Sequence, residues 1–251
     1  MMTMMIWAGA LALGNLSDQE AQSLVAQLDE RQQAAGDFKA LALIEQKERG
    51  KNDLVYQSVV YRRDDDDKLL IMFLKPKSEA GKGYLRVEDN LFLYDPTVGK
   101  WERRTERERI MGTDTRRADF DESRLAQEYT ASFAGTEKLG ALQAYHLVLL
   151  AREDADVAYP VLHLWLDSAS ENLLKRQDFA LSGRLMRTTY YPRWRKVFST
   201  SKDGYVYIPE EIRVFDEVEK GNRTTMVVTK VDLDDLDPNI FTKAWLESKS
   251  R

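Results

Sequence analysis

The sequence contains no cysteine and two histidines, His146 and His163. Without cysteine the chain can form no disulfide, thiolate zinc site, iron–sulfur cluster or lipid-modified cysteine. Two histidines are too few for a multi-histidine metal site. Neither a G-x-S-x-G nucleophile elbow nor a phosphate-binding loop occurs. The sequence therefore predicts no metal, no cofactor and no catalytic residue, which argues against a hydrolase acting on envelope lipids.

An excess of charge of one sign is also absent. Of the 251 residues, 43% are hydrophobic and 31% are charged, and the formal net charge is −5 with both signs mixed. This composition is typical of a globular protein and gives no electrostatic reason to expect a nucleic-acid partner. No linker-like stretch divides the chain, so a single domain is predicted over residues 17–251.

Residues 1–14 differ from the rest because they carry no charge. Their apolar run is shorter than the roughly 20 residues that span a bilayer, and it resembles the hydrophobic region of a secretory signal peptide. The small residues Ala8, Ala10 and Ala12 form two A-x-A patterns, which predict cleavage at Ala10 or Ala12. No basic residue precedes the run, so an apolar N-terminus packed on the domain is the alternative.

A helix is predicted next. Ser17 and Glu20 have the spacing of a capping box, and an apolar stripe of Ala21, Leu24, Val25 and Leu28 follows at helical intervals. After Gly36 the hydrophobic period changes to two. This pattern predicts strands over 38–46, 54–63, 68–75, 84–87, 90–94, 100–104, 145–152, 161–167, 174–179, 184–191, 205–208, 211–218 and 223–231. A short helix near Asp119 and a helical turn over 241–246 complete the predicted elements.

Several predicted strands are apolar on both faces. Leu69, Ile71 and Phe73 alternate with Leu70, Met72 and Leu74. The strands near residues 147 and 164 likewise carry apolar residues on both faces. An antiparallel sheet usually leaves one face to solvent, and one helix cannot cover a dozen strands. Two architectures remain: a sandwich, or a curved sheet around a hydrophobic cavity closed by helices.

Short motifs occur in a characteristic order along the chain. They are the segments 91–96 (LFLYDP), 110–114 (IMGTD) with 119–121 (DFD), 159–167 (YPVLHLWLD), 182–185 (SGRL), 220–224 (KGNRT) and 241–242 (FT). In this order they resemble the LolA-like family of outer-membrane lipoprotein-sorting proteins, over about residues 38–246.

The resemblance implies a fold and a function. The implied fold is mainly β: a curved, incomplete antiparallel β-barrel with helices that lid an apolar cavity. The implied function is that of a soluble periplasmic carrier of acylated lipoprotein or phospholipid cargo, loaded by an inner-membrane transporter and unloaded at an outer-membrane acceptor. The alternative is a lipid-sensing regulatory module of an envelope transport or stress complex.

The residues predicted to line the cavity are apolar positions of the helix and the strands. They are Leu24, Leu28, Leu70, Met72, Leu147, Leu149, Leu162, Leu164 and Leu166. Leu24 and Leu28 are expected to face Leu162, Leu164 and Leu166 across an open space.

A second candidate site is the cluster Arg193, Trp194 and Arg195. It is predicted to lie on a loop after a strand and to contact a lipid headgroup or a membrane-bound partner. Arginines that extend from a strand end along the surface are the alternative.

Overall fold

The computed structural model describes residues 15–32, 35–87, 90–104, 109–110, 113–114, 123–200 and 202–250. The predicted signal segment, residues 1–14, lies outside the described residues, and so does Asp119 with the helix predicted near it. Among the described residues, no helix is both long enough and apolar enough to cross a membrane.

Helix α1 spans Asp18–Gln32. Its start is the predicted capping box: the Ser17 backbone N–H donates to the Glu20 carboxylate at 2.7 Å, and the Glu20 N–H donates to the Ser17 hydroxyl at 3.3 Å. The buried apolar residues of α1 are Ala21, Val25 and Leu28. The helix therefore presents one apolar stripe, as its sequence periodicity predicts.

The strands form two meanders. The first contains β1 (Asp37–Lys47), β2 (Leu54–Arg63), β3 (Lys68–Lys75), β4 (Gly83–Val87), β5 (Asn90–Asp95) and β6 (Lys100–Arg104). The short helix α2 (Leu125–Glu128) precedes the second, which contains β7 (Tyr129–Leu139), β8 (Leu142–Ala151), β9 (Val161–Asp167), β10 (Leu173–Phe179), β11 (Leu185–Ser199), β12 (Gly204–Asp216) and β13 (Arg223–Asp232). A 3-10 turn (Pro238–Phe241) and helix α3 (Lys243–Lys249) follow.

All these strands belong to one antiparallel sheet of 13 strands. Each meander pairs its strands in chain order, and the pairing of β1 with β13 joins the two meanders. The sheet is not closed, since β6 and β7 remain at its two ends. The prediction of a mainly β chain built on an open antiparallel sheet is confirmed.

The pairing register shows which residues share a face, because paired residues point to the same side of a sheet. Leu164 of β9 pairs with Arg176 of β10, which pairs with Thr189 of β11. Thr189 in turn pairs with Val214 of β12. Val214 pairs with Thr224 of β13, which pairs with Gln46 of β1, so these six residues share one face. Helix α1 packs against Leu164, so we call this side the α1 face and the opposite side the outer face.

Hydrophobic clusters occupy both faces. On the α1 face, one cluster joins α1 to β7–β10, and a second joins Ile44, Ile71 and Phe73 at the other end of the sheet. On the outer face, Leu70 and Leu85 are covered by Leu246 of α3 and by Ile240 and Phe241. The two ends of the described chain therefore cover opposite faces of the sheet.

The strands predicted from the sequence differ from the observed strands at three places. Strand β7 was not predicted, and residues 205–218, predicted as two strands, form the single strand β12 up to Asp216. Strand β11 continues past Pro192 to Ser199, because its register shifts between Tyr190 and Arg193 and leaves the proline out of the regular ladder. Arg193, Trp194 and Arg195 therefore lie within a strand and not on a loop.

Candidate functional site

A floor of leucines lies beneath helix α1. Its members, which we call the leucine floor, are Leu147 and Leu149 of β8 and Leu162, Leu164 and Leu166 of β9. They pack in one cluster with Ala21, Val25 and Leu28, and Leu24 contacts the same cluster while partly exposed. The structure thus brings together all the predicted cavity residues except Leu70 and Met72.

Leu70 and Met72 lie on the outer face, so they cannot line the same space as the leucine floor. Their register partners in β2 are Tyr61 and Val59, and Leu70 packs beneath α3. Met72 lines a groove of about 480 Å³ on the outer face together with Leu74. On β3 it is the alternate set, including Ile71 and Phe73, that faces the α1 side.

The space predicted between α1 and the strands is filled. Each residue of the leucine floor has 0% exposed surface, so no gap large enough for water adjoins these side chains. The reason is direct packing against the apolar stripe of α1, whose Ala21 and Val25 are also fully buried. In this arrangement α1 covers the leucine floor.

Side chains of α1 hold the helix against the edge strand β7. The Gln22 side-chain amide donates to the carbonyls of Ala126 (3.0 Å) and Tyr129 (3.3 Å) and accepts from the Ala131 N–H (2.8 Å). Four residues earlier, the Asp18 carboxylate accepts from the Phe133 N–H at 3.3 Å. These side chains take the place of a neighbouring strand along part of the β7 edge, where backbone groups need partners.

The C-terminal half of α1 has further polar contacts. The Asp29 carboxylate accepts from the Ser123 hydroxyl at 2.5 Å and from the Ala126 N–H at 2.8 Å. Arg31 pairs with Glu171 at 2.6 Å, but both side chains are more than a third exposed, so this ion pair contributes little stability. α1 is therefore fixed by a narrow apolar stripe and a few hydrogen bonds.

A buried ionic cluster adjoins the leucine floor on the same face. The Asp178 carboxylate accepts from Arg176 at 2.6 Å and from Arg187 at 2.7 Å. Burial alone would raise the pKa of Asp178, but the two guanidinium groups hold it below its usual value. Asp178 is paired with Leu162, and Arg176 with Leu164, so charged and apolar side chains meet along one line of the sheet.

A second buried polar cluster lies farther along the α1 face. The Asp114 N–H donates to the Thr224 hydroxyl at 2.8 Å, the Gln46 amide donates to the Asp114 carboxylate at 3.3 Å, and Arg109 lies 3.3 Å from that carboxylate. Burial raises the pKa of Asp114. Asp114 ends the predicted 110–114 motif, of which residues 111 and 112 lie outside the described residues.

The two histidines are paired on the outer face. His146 Nε2 lies 2.9 Å from His163 Nδ1, and His146 Nδ1 lies 2.9 Å from the Glu137 carboxylate. Burial lowers the pKa of both histidines, and the positive charge of Lys175 adds to this. The separation of the histidines in sequence gave no sign of this pair. In the described part of the chain, no three His, Cys, Asp or Glu side chains are placed to hold a metal ion.

The predicted cluster Arg193, Trp194 and Arg195 is divided by its strand. Arg193 pairs with Glu211 at 2.7 Å, and Arg195 pairs with Glu210. The Trp194 indole N–H donates to the Leu173 carbonyl at 2.9 Å, and its ring packs against the leucine cluster. These side chains therefore do not form one exposed cluster.

The sequence matches one family model, and the fold matches several solved structures. A family model described as an uncharacterized protein matches residues 65–248. Three solved structures share this fold. Each alignment covers 92% of this chain and 99% of the other chain. They are a LolA superfamily protein from Nitrosomonas europaea (21% identity, TM-score 0.71), a DUF1329 family protein from Desulfovibrio piger (18%, 0.79) and a domain described as an outer membrane lipoprotein-sorting protein from Vibrio parahaemolyticus (19%, 0.76). No curated protein matches the chain. At these identities the likeness establishes the fold, and the predicted LolA-like fold is confirmed.

Proposed function

The chain belongs to the LolA-like DUF1329 family, and we propose that it is a carrier that binds acyl chains of lipoproteins or lipids on the α1 face of its sheet. In this function it catalyses no reaction. It works in the periplasm, where an inner-membrane transporter loads it and an outer-membrane acceptor receives the cargo. Its cargo is an acylated lipoprotein or a phospholipid.

The leucine floor beneath α1 is the observation that carries this function. The floor is a continuous apolar surface on two neighbouring strands, and the helix that covers it contributes the small side chains of Ala21 and Val25. An acyl chain can replace that stripe, because each methylene moved out of water contributes about 0.8 kcal/mol. Displacement of α1 would remove its apolar stripe from the floor, where the acyl chain takes its place, and would break the hydrogen bonds of Asp18, Gln22 and Asp29, which water can replace.

The ionic cluster beside the floor supports a polar headgroup at one end of the acyl chain. Arg176 and Arg187 lie next to Leu164 and Leu162 across β10 and β11. Guanidinium groups bind phosphate and carboxylate oxygens well, since their planar donors match both geometries. A lipid with its chain on the floor would place an anionic headgroup within reach of this cluster.

The function can be tested with a fatty acid that carries bromine on its chain and quenches tryptophan fluorescence on contact. The sequence contains five tryptophans. Trp194 packs against the leucine cluster, whereas Trp165 lies near Lys175 on the outer face, with its ring 3.9 Å from the ammonium group. We expect the brominated acid to quench the wild type and the Trp165→Phe control, and to lose most of its quenching in Trp194→Phe.

Lipid that copurifies with the native protein identifies the cargo. We expect mass spectrometry of protein purified without detergent to show a bound acyl lipid. If no lipid is found and quenching is the same in Trp165→Phe and Trp194→Phe, the α1 face is not a lipid site and the carrier function is wrong.

A further inference from the structure

Both histidines of the chain lie together on the outer face, near the β7 edge of the sheet. His146 of β8 is paired with Trp165 of β9, and His163 lies two residues before Trp165, so the three side chains point to the same side. His146 Nε2 and His163 Nδ1 are 2.9 Å apart. Both residues are half-buried, so solvent reaches part of this pair.

The Glu137 carboxylate determines which nitrogen of His146 carries hydrogen. The hydrogen bond from the Trp165 indole N–H, at 2.9 Å, holds the pKa of Glu137 below its usual value, so the carboxylate is ionised and can only accept. His146 Nδ1, 2.9 Å from this carboxylate, is therefore the donor, and His146 Nε2 presents a lone pair toward His163. Histidines that bind metals commonly donate their second nitrogen to a carboxylate, which orients the ring and makes the ligating nitrogen more basic.

Aromatic rings hold the two imidazoles in place. Trp165 stacks on His146, with the ring centroids 4.3 Å apart and the planes 9° from parallel. Phe179 of β10 lies against His163, with the centroids 4.8 Å apart. Side chains from four neighbouring strands, β7 to β10, thus fix the pair before a ligand arrives, which lowers the entropic cost of binding.

We propose that His146 and His163 form a binding site for a divalent transition-metal ion, best fitted by Cu²⁺, with Glu137 as a positioning residue and water as the remaining ligands. Two nitrogens bound to one ion at about 2.0–2.1 Å lie about 2.9 Å apart when the two bonds form a right angle, which is the separation of the facing histidine nitrogens. Right angles between adjacent nitrogen ligands are typical of tetragonal Cu²⁺, which is also the tightest binder among the divalent ions of its series.

Coordination requires one hydrogen to change its position. His163 Nδ1 donates to His146 Nε2 in the metal-free pair, and this hydrogen moves to His163 Nε2, so that both facing nitrogens offer lone pairs. Imidazole can make this change because its two neutral forms differ only in which nitrogen carries the hydrogen. Two histidines with water complete the ligand set, so the low number of histidines in the sequence does not exclude the site.

Titration of the full chain with Cu²⁺ tests this site. Calorimetry should show one ion bound, and electron paramagnetic resonance of the complex should show a tetragonal spectrum with two imidazole nitrogens. We expect Glu137→Ala to weaken binding about tenfold, the usual effect of losing a carboxylate behind a ligating histidine, and to keep both nitrogens in the spectrum. Glu137→Gln, which retains an acceptor oxygen, should lose less. His146→Gln and His163→Gln should each lose more than Glu137→Ala.

Lys175→Gln is the matched control, because Lys175 is paired with Trp165 on the same face and is not a ligand. Removal of its positive charge should leave Cu²⁺ binding unchanged or tighten it. The chain has no cysteine and no further histidine, so the double variant His146→Gln, His163→Gln should lose the nitrogen signal completely. Near-ultraviolet circular dichroism of the metal-free variants shows whether the outer face is intact.

Three results would overturn the metal site. The first is a wild-type complex whose spectrum contains fewer than two imidazole nitrogens, a measurement that needs no variant to fold. The second is a double histidine variant that binds Cu²⁺ as tightly as the wild type. The third is a loss in Lys175→Gln as large as that in the histidine variants, because general disturbance of this face would then explain every loss.

Discussion

At the residue scale, the leucine floor behaves as a packed core and not as the wall of an open cavity. The sequence shows that Leu162, Leu164 and Leu166 are apolar and alternate with other residues, but it does not show how closely α1 approaches them. An open space would make truncation of Leu164 cheap, because few packing atoms would be lost. The observed packing predicts the opposite.

We expect Leu164→Ala to lower the free energy of unfolding by about 2–5 kcal/mol, since it removes buried methyl groups and leaves a void. Leu150→Ala is the control, because Leu150 lies on the neighbouring strand β8 and is 54% exposed. This substitution should change the free energy of unfolding by less than about 1 kcal/mol. Urea unfolding of the lipid-free proteins measures both. Equal, small losses for the two variants would show that the space beneath α1 is open in solution.

At the element scale, helix α1 stands in for a missing strand at the β7 edge. The Gln22 side-chain amide donates to the Tyr129 carbonyl and accepts from the Ala131 N–H. We expect Gln22→Ala to speed hydrogen exchange of the Ala131 amide and to lower stability by about 1–2 kcal/mol. It should also speed the entry of a fatty-acid probe, because α1 separates more easily.

Gln27→Ala is the matched control for Gln22→Ala. Gln27 lies on the same helix but is exposed, so the substitution changes the helix propensity equally and removes no contact to β7. Exchange at Ala131 and probe entry should match the wild type. If both variants accelerate probe entry equally, general weakening of the helix controls entry, and the contacts of Gln22 to the strand edge do not.

The elements that the sequence missed have physical reasons. Strand β7 lacks the regular alternation of a half-buried strand, because its register shifts between Phe133 and Gly135 and the glycine adopts φ 141°. Pro192 suggests a strand end, yet the bulge in β11 accommodates it. Apart from β12, which the sequence divides into two strands, the remaining strands lie within a few residues of their predicted bounds, because runs of apolar, β-branched and aromatic residues between turn residues mark them.

At the scale of the whole molecule, the sequence reveals two apolar faces but not which face belongs to which helix. Leu70 and Leu164 are equally plausible cavity residues in the sequence. They are separated by the register of the seven strand pairings from β3 to β9, which no local pattern contains. The outer face under α3 and the α1 face are therefore distinct cores, and a change in one should leave the other largely intact.

Gly83 offers a test of this independence. A Cβ added at Gly83 would lie 2.8 Å from Leu246 Cδ1 and 2.9 Å from the Ile71 carbonyl oxygen, distances shorter than side chains tolerate. Because the backbone carbonyl cannot yield easily, we expect Gly83→Ala to push α3 away from Leu70 and Leu85 and to lower the melting temperature by several degrees. The environment of Trp245, whose ring lies 5.5 Å from that of Tyr61, should change with it in near-ultraviolet circular dichroism.

Gly204→Ala is the control for this substitution, because its nearest neighbour would lie 3.5 Å from the added Cβ, an ordinary contact. It should change neither the melting temperature nor the Trp245 signal appreciably. Bromine quenching of Trp194 reports the other face of the sheet, and we expect it to be unchanged in both glycine variants at a temperature where they are folded. Loss of Trp194 quenching in folded Gly83→Ala would mean that acyl binding depends on the outer core, and the assignment of the lipid to the α1 face alone would then be wrong.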